Sequence, residues 1–223
     1  RMRLGSVAVL VLLLGTAGFG CADSDSGSSP PSSRFVACED GVTVADTETG
    51  LLWERKNGAF APGVIAVCTD DPCSDPHDVS NQYQISTNLT SGLFQGNVFA
   101  FFASLNAGPG FAGYKNWRLP DISELQSIMV GPGVTKVASG DPLAGNNPTG
   151  QSDIVCQADA PCIDAEFTAV GGATAPSNYW SKTPRKNPFV FAWVAKFSNG
   201  DVTFADLKAG AFVRAVRVGE CTP

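Results

Sequence analysis

The sequence predicts an α+β domain with two helices and a mainly antiparallel sheet of about five strands. Apolar residues recur at helical spacing from Phe94 to Leu105, and a second, shorter helix is predicted just after Pro120. Strand-like alternation of apolar and polar residues then dominates the last third of the chain. Helices and strands that are segregated along a chain, rather than alternating, are typical of an α+β arrangement.

The first helix is predicted from one apolar face. Its members step along the chain by three or four residues, with one adjacent pair: Phe94, Val98, Phe101, Phe102 and Leu105. Gly108 lies just beyond this face, where glycine commonly ends a helix. We therefore expect the helix to end shortly before Gly108.

The second helix is predicted within residues 116–129. Pro120 fixes its own φ and biases Leu119 away from the helical region. Asp121, followed three residues later by Glu124, has the spacing of a capping box, in which each side chain accepts from the other residue's backbone N–H. Apolar residues follow at helical spacing: Ile122, Leu125, Ile128 and Met129. An extended segment is thus expected to turn into a short helix with one buried face.

The strands are predicted from alternating segments between turn residues. Residues 42–44 and 51–55 form a predicted hairpin near the start of the domain, and an Asn-Gly turn at residues 198–201 predicts another. The strand patterns of the last third are residues 178–181, 191–197, 202–205 and 211–218. The stretches 56–92 and 131–177 are expected to be long irregular loops, held by disulfides.

The N-terminal segment is predicted to be a lipoprotein-type signal peptide over residues 1–20. Basic residues precede an apolar run, residues 4–18, that is short for a membrane span. Gly18-Phe19-Gly20-Cys21 resembles a bacterial lipobox, which makes Cys21 the lipidated residue; simple secretion is the alternative. Residues 21–34 are a Ser- and Pro-rich tether, and residues 35–223 are the predicted domain.

The expected location is the cell envelope. Ala22, not aspartate, follows Cys21, and this favours sorting to the outer membrane or cell surface. The formal net charge is −6, with 15 Lys and Arg against 21 Asp and Glu. Nucleic acid is therefore not an expected partner, because phosphate binding needs clustered Lys and Arg. The expected partners are the membrane, through the lipid, and an extracellular glycan or protein.

Cysteine usage agrees with export. The chain has seven cysteines, so six remain if Cys21 carries lipid, and an exported protein uses such a set for three disulfides. The six are Cys38, Cys68, Cys73, Cys156, Cys162 and Cys221. Sequence alone does not choose a pairing, although proximity favours Cys68–Cys73 and Cys156–Cys162, leaving Cys38 with Cys221. Zinc is the weaker alternative, because the chain has one histidine and no CxxC pair.

An acidic loop is the candidate metal site. Carboxylate oxygens suit calcium, and residues 68–78 hold four carboxylates, on Asp70, Asp71, Asp75 and Asp78. The spacing is not that of an EF-hand loop. The alternative is a solvated loop whose aspartates cap turns, and we expect no other cofactor.

A basic segment after an aromatic residue is the candidate ligand site. Trp180 is followed by Lys182, Arg185 and Lys186, which could hold the sulfate or carboxylate of a polyanionic glycan. The alternative is an exposed turn with ordinary charge. The tryptophans are predicted to be core residues rather than sugar platforms, and three arginines are predicted to pair with carboxylates such as Glu124: Arg118, Arg214 and Arg217.

Catalysis is not expected. His77 is the only histidine, and it lies in the acidic loop, so a Ser/His/Asp grouping is not expected. No nucleotide-binding fingerprint occurs either. Thiol chemistry would need free cysteines, which lipid and disulfides use up. The chain is therefore interpreted as a non-enzymatic protein.

Five motifs occur in an order that resembles the Lcl C-terminal domain family, named from the end of a bacterial collagen-like adhesin. They are Gly50-Leu51-Leu52-Trp53-Glu54, residues 113–125 with Trp117-Arg118-Leu119-Pro120, Tyr179-Trp180-Ser181, residues 192–200 and Val213-Arg214-Ala215-Val216-Arg217. The resemblance implies a C-type-lectin-like fold related to the sulfatase-modifying, formylglycine-generating group. It does not extend to collagen-like assembly, because no Gly-X-Y repeat is present.

The resemblance implies a surface domain used for adhesion or ligand binding. We therefore predict an exported surface lipoprotein with a non-catalytic binding domain. Two alternatives stay open: an enzyme of the sulfatase-modifying group, and a purely structural envelope protein.

Overall fold

The computed structural model describes residues 33–63, 66–68, 73–86, 96–129, 161–185 and 190–221, which all belong to one compact unit beginning at Ser33. The helices are α1 (Asn97–Asn106), α2 (Ile122–Ser127) and α3 (Ala165–Gly171). The strands are β1 (Phe35–Ala37), β2 (Thr43–Asp46), β3 (Leu51–Glu54), β4 (Ala66–Val67), β5 (Asn81–Tyr83), β6 (Asn178–Pro184), β7 (Phe191–Lys196), β8 (Asp201–Asp206), β9 (Ala211–Phe212) and β10 (Val216–Val218).

The predicted α+β class is confirmed, but the strands form two sheets rather than one. The first has the order β1-β2-β3-β10 and is antiparallel throughout. The second has the order β4-β5-β9-β6-β7-β8, with parallel pairs only at β4/β5 and β6/β9. The predicted N-terminal hairpin is β2/β3, and the Asn-Gly turn connects β7 to β8.

The prediction of a single strand over residues 211–218 was wrong. The chain leaves the six-stranded sheet after β9 and enters the four-stranded sheet at β10. Residues 213–215 make this crossing, and all three are buried. Alternation of side chains cannot reveal such a crossing, because it describes the two faces of a strand and not which sheet the backbone joins.

Helix α3 was also missed, because it lies within the stretch 131–177 that was predicted to be irregular. The Asp164 side chain caps its start by accepting from the Glu166 N–H, and Phe167 is fully buried against Phe35 and Trp53. The helix is too short to show a repeated apolar face. Its stability therefore comes from tertiary packing, which local sequence does not report.

The predicted capping box is present at α2. Asp121 accepts from the Glu124 N–H at 2.9 Å, and Glu124 accepts from the Asp121 N–H at 2.7 Å. The predicted pairing of Arg118 with Glu124 is also confirmed, with two contacts of 2.6 and 2.7 Å. The extended segment before α2 is thus bound to the first turn of the helix.

Replacing Asp121 with Ala is expected to lower the free energy of unfolding by about 1 kcal/mol, because it removes the cap of α2. Urea denaturation of the two proteins measures this difference. Glu39→Ala is the matched control, since it removes an exposed carboxylate. An equal loss in both variants would show that the effect is one of net charge and not of the cap.

The predicted tryptophan core is confirmed. Trp53 and Trp193 lie in one buried apolar cluster, and Trp117 and Trp180 lie in the other. None of the four side chains is more than 2% exposed. The tryptophans therefore stabilise the fold, and no flat indole face is offered to a sugar ring.

Two of the three favoured disulfides are present among the described residues. Cys38 is bonded to Cys221, which joins β1 to the chain after β10, and Cys68 is bonded to Cys73. Cys162 is disulfide-bonded as well. Its predicted partner Cys156 lies outside the described residues, as does Cys21.

The predicted tether boundary needs one correction. Arg34, which was placed in the tether, makes two hydrogen bonds of 2.7 and 2.9 Å with the buried carboxylate of Asp46. Its guanidinium also lies 4.5 Å from the centre of the Phe35 ring. Arg34 is therefore part of the domain, because its charge neutralises a buried carboxylate.

Candidate functional site

The candidate ligand residues separate in the structure. Lys182 is exposed on β6, and Arg185 follows the end of that strand. Trp180 is fully buried and donates its indole N–H to the Tyr83 carbonyl at 2.7 Å. The expectation that Trp180 contacts a ligand is therefore wrong, because both faces of β6 are covered at this point, with Tyr179 in one apolar cluster and Trp180 in the other. Lys186 lies outside the described residues.

Lys182 borders an open apolar pocket of about 330 Å³. Ile85, Phe99, Leu119, Pro184, Phe191 and Leu207 supply most of its wall. Phe99 projects from α1 and is 46% exposed, an unusual exposure for a large apolar ring. The pocket thus combines a wall of apolar side chains with one ammonium group.

The stretch around α2 holds one wall of this pocket in place. The Lys182 N–H donates to the Pro120 carbonyl at 2.8 Å, and the Ile122 N–H donates to the Thr183 hydroxyl at 3.1 Å. These bonds join β6 to the segment that enters α2. Leu119 is consequently fixed beside Lys182, and the capping box acts as the support of the pocket wall.

The charge of Lys182 is not neutralised by an ion pair within the part of the chain that the structure describes. Arg185 lies nearby on the same segment, with its guanidinium 3.9 Å from the centre of the Phe204 ring and 5.7 Å from that of Phe191. Phe191 therefore contacts Arg185 and also lines the pocket. The two cations at this end of β6 can attract an anionic ligand, and the apolar wall beside them can contact the apolar part of that ligand.

The acidic loop does not form a metal site in its described portion. The Asp75 carboxylate accepts from Asn57 at 2.8 Å and from the His77 N–H at 3.0 Å, and Asp78 accepts from the Ser80 N–H at 2.7 Å. These contacts fit the alternative in which aspartates cap turns. No group of three metal-ligating side chains occurs among the described residues; Asp70 and Asp71 lie outside them.

Sequence reasoning missed a buried charged cluster. It lies where the end of β3 meets the loop of His77 and the crossing segment that contains Ala215. Glu54 is fully buried, and its carboxylate makes three contacts. It lies 2.8 Å from the Lys56 ammonium, accepts from the Ala215 N–H at 2.8 Å, and is hydrogen-bonded to Nδ1 of His77 at 2.7 Å. The His77 ring stacks on Phe111 at 4.2 Å. The sequence signal for this cluster was weak: Glu54 is a charged residue at the end of an apolar strand, and such a residue ordinarily marks only where the strand stops.

The contacts of Glu54 decide its protonation. Burial by itself raises the pKa of this carboxyl group, but the charge of Lys56 and the hydrogen bond with His77 outweigh burial and lower the pKa to about 2. Glu54 is therefore an anion at neutral pH. It holds together β3, the loop of His77 and the crossing segment that contains Ala215.

Arg214 stabilises the same crossing from the other side. Its guanidinium is fully buried and donates to four oxygens: the carbonyls of Glu54, Gly171 and Ala173, and the Thr174 hydroxyl. The predicted pairing of Arg214 with a carboxylate is replaced by these carbonyl contacts. Arg217 likewise binds Asn116 and stacks over Tyr114 at 4.0 Å. Both arginines connect segments of the fold and neither lines the pocket.

The pH dependence of stability follows from the lowered pKa of Glu54. Its contribution is complete above the ordinary glutamate pKa of about 4.3 and is lost as the pH falls towards about 2, since only the unfolded chain takes up the proton in that window. We expect the free energy of unfolding to fall steeply over this range in urea titrations. A Glu54→Gln variant should show a flatter profile there; an unchanged slope would contradict the ionised state.

Residues 42–217 match the family model described as "Lcl C-terminal domain". The chain belongs to the Lcl C-terminal domain family. The resemblance stated from the motifs is thereby confirmed, and membership implies a surface-associated domain. The C-type-lectin-like fold stays a prediction. No curated protein and no solved structure matches the chain.

In this Lcl C-terminal domain, the motifs that carry the resemblance build the interior more than the pocket. Glu54 and Arg214 form the buried contacts, and Trp117 and Trp180 lie in the core. The pocket takes only Leu119, Ser181 and Ala192 from those motifs. Within the described residues, no helix has the length and apolar character needed to cross a bilayer.

Proposed function

We propose that this Lcl C-terminal domain is the extracellular binding part of an exported lipoprotein of the cell envelope, anchored through lipid on Cys21, and that it is not an enzyme. The domain binds an anionic ligand, on an extracellular glycan or protein, at the Lys182 pocket. The observation that carries this proposal is the unneutralised lysine at the edge of an apolar cavity. Concave apolar sites with few polar groups are the usual form of binding sites.

The cysteines support binding over catalysis. An enzyme of the sulfatase-modifying group would use a reactive thiol, which requires an accessible thiolate. The five described cysteines, Cys38, Cys68, Cys73, Cys162 and Cys221, are all disulfide-bonded. His77, the residue best suited to proton transfer, is engaged with buried Glu54 and stacked on Phe111. Its contacts thus support a structural role.

The test is an array of glycans and extracellular proteins probed with the purified mature protein, with and without calcium. We expect binding to ligands that carry acidic groups, and at least about tenfold weaker binding by Lys182→Gln/Arg185→Gln, because the variant loses both the ammonium that lines the pocket and the nearby guanidinium that attracts an anion. Lys115→Gln/Lys196→Gln is the matched control, since it removes one exposed and one half-buried cation that do not line the pocket.

The outcomes separate the proposed function from its rivals. Binding that survives the Lys182/Arg185 substitutions would place the site elsewhere. Silence across the array, with calcium and without it, would favour a purely structural envelope protein. Dependence of binding on calcium would revive the acidic loop as a metal site.

A further inference from the structure

The chemistry of the pocket narrows the class of ligand. At about 330 Å³ its volume is near the lower limit for small-molecule sites, which begin at about 300 Å³. The wall is built by Ile85, Phe99, Leu119, Phe191 and Leu207. An occupant of this size must therefore be small and must present an apolar surface to these side chains.

The polar side chains of the wall offer few hydrogen bonds to a ligand rich in hydroxyl groups. The Ser181 hydroxyl already donates to the Trp193 carbonyl at 2.7 Å and accepts from the Thr183 N–H at 3.2 Å. A sugar ring placed against this wall would find few hydrogen-bond partners among the lining side chains, and each polar group that is buried without a partner is costly. The wall thus favours an apolar body over a carbohydrate ring.

The charge of the pocket determines which charged group the ligand carries beside its apolar body. Lys182 is the charged member of the described lining residues, and it is an exposed residue at the opening. Arg185 is not among the lining residues, and its guanidinium lies over the rings of Phe204 and Phe191. The lining therefore neutralises one negative charge, whereas a dianion such as phosphate would keep an uncompensated charge beside apolar walls. A monovalent acid therefore matches the site in both charge and shape.

We infer that the Lys182 pocket binds a small organic carboxylate, whose apolar body lies between Phe99, Leu119 and Phe191 and whose carboxylate pairs with the Lys182 ammonium. This inference rests on the proposed function and names the chemical group that the site recognises. An extracellular partner would present such a group either as a free acid or as an exposed acidic end.

The test is calorimetric titration of the purified mature protein with 3-phenylpropionate, and in parallel with its neutral counterpart 3-phenylpropan-1-ol. We expect the carboxylate to bind at least about tenfold more tightly than the alcohol, and to lose that advantage in Lys182→Gln. Phe99→Ala should weaken both compounds, because it removes part of the apolar wall. Lys115→Gln should leave both unchanged.

Folding of the variants is verified by their melting temperatures; both Lys182 and Phe99 are exposed, so their replacement leaves the core intact. Equal affinity for acid and alcohol, or retention of the preference in Lys182→Gln, would overturn the inference. Lys182-dependent capture on the array without any binding of 3-phenylpropionate would overturn it while preserving the proposed function. Absence of both would reject the two proposals together.

Discussion

Replacing Glu54 with Gln is expected to lower the free energy of unfolding by about 3–5 kcal/mol, the usual cost of breaking a buried ion pair from one side. Lys56 is only 4% exposed, so its ammonium would stay buried without a counter-charge. One oxygen of Glu54 also accepts the Ala215 N–H at the crossing between the sheets. The substitution therefore weakens an ion pair and a connection of the fold at once.

Urea denaturation at neutral pH measures this loss, with Glu39→Gln as the matched control, because Glu39 is an exposed carboxylate. The double variant Glu54→Gln/Lys56→Met should regain a large part of the stability, since an apolar replacement no longer buries an unpaired charge. A loss below about 1 kcal/mol in Glu54→Gln alone would show that the cluster is solvated and not a buried ion pair.

Replacing Trp117 with Ala is expected to lower the free energy of unfolding by about 3–5 kcal/mol, a large fraction of the roughly 5–15 kcal/mol by which domains are usually stable. The side chain is 2% exposed, and its indole N–H donates to the Phe111 carbonyl at 3.0 Å. The backbone N–H of Trp117 donates to the side-chain oxygen of Asn106 at the end of α1. Removing the ring therefore leaves a cavity and takes away one of the two hydrogen bonds that the Phe111 carbonyl accepts, the other coming from the Tyr114 N–H.

Thermal melting followed by circular dichroism tests this prediction. Trp117→Phe, which keeps an aromatic ring but loses the indole donor, should melt between the parent and Trp117→Ala. Phe99→Ala is the control for loss of an aromatic side chain from an exposed position. A melting curve of Trp117→Ala that matches the parent would mean that Trp117 is not a core residue.

Local features of this domain were predictable from its sequence. The capping box at Asp121 and Glu124 depends on neighbours three residues apart, and the β7/β8 hairpin depends on a short turn. The crossing at residues 213–215 was not predictable, because it is set by contacts of Glu54 and Arg214 with distant segments. Pairings over such separations leave no periodic signal in a single sequence.

The candidate site was predicted in part for the same reason. Lys182 and Arg185 were identified because three cations lie close together in the sequence. The choice of Trp180 was wrong, because both faces of β6 are buried at residues 179–181. Phe99, from α1, was assigned to no site, since only tertiary packing brings it to the apolar wall opposite β6.

The proposed function depends most on how the chain uses its sulfur atoms, and intact mass spectrometry of the mature protein isolated from membranes tests this directly. We expect a mature chain that begins at lipid-modified Cys21, takes up no alkylating label before reduction, and takes up six labels after it, one for each remaining cysteine. A chain without lipid on Cys21, or with a thiol that is labelled before reduction, would contradict the proposal of an anchored, non-catalytic binding domain.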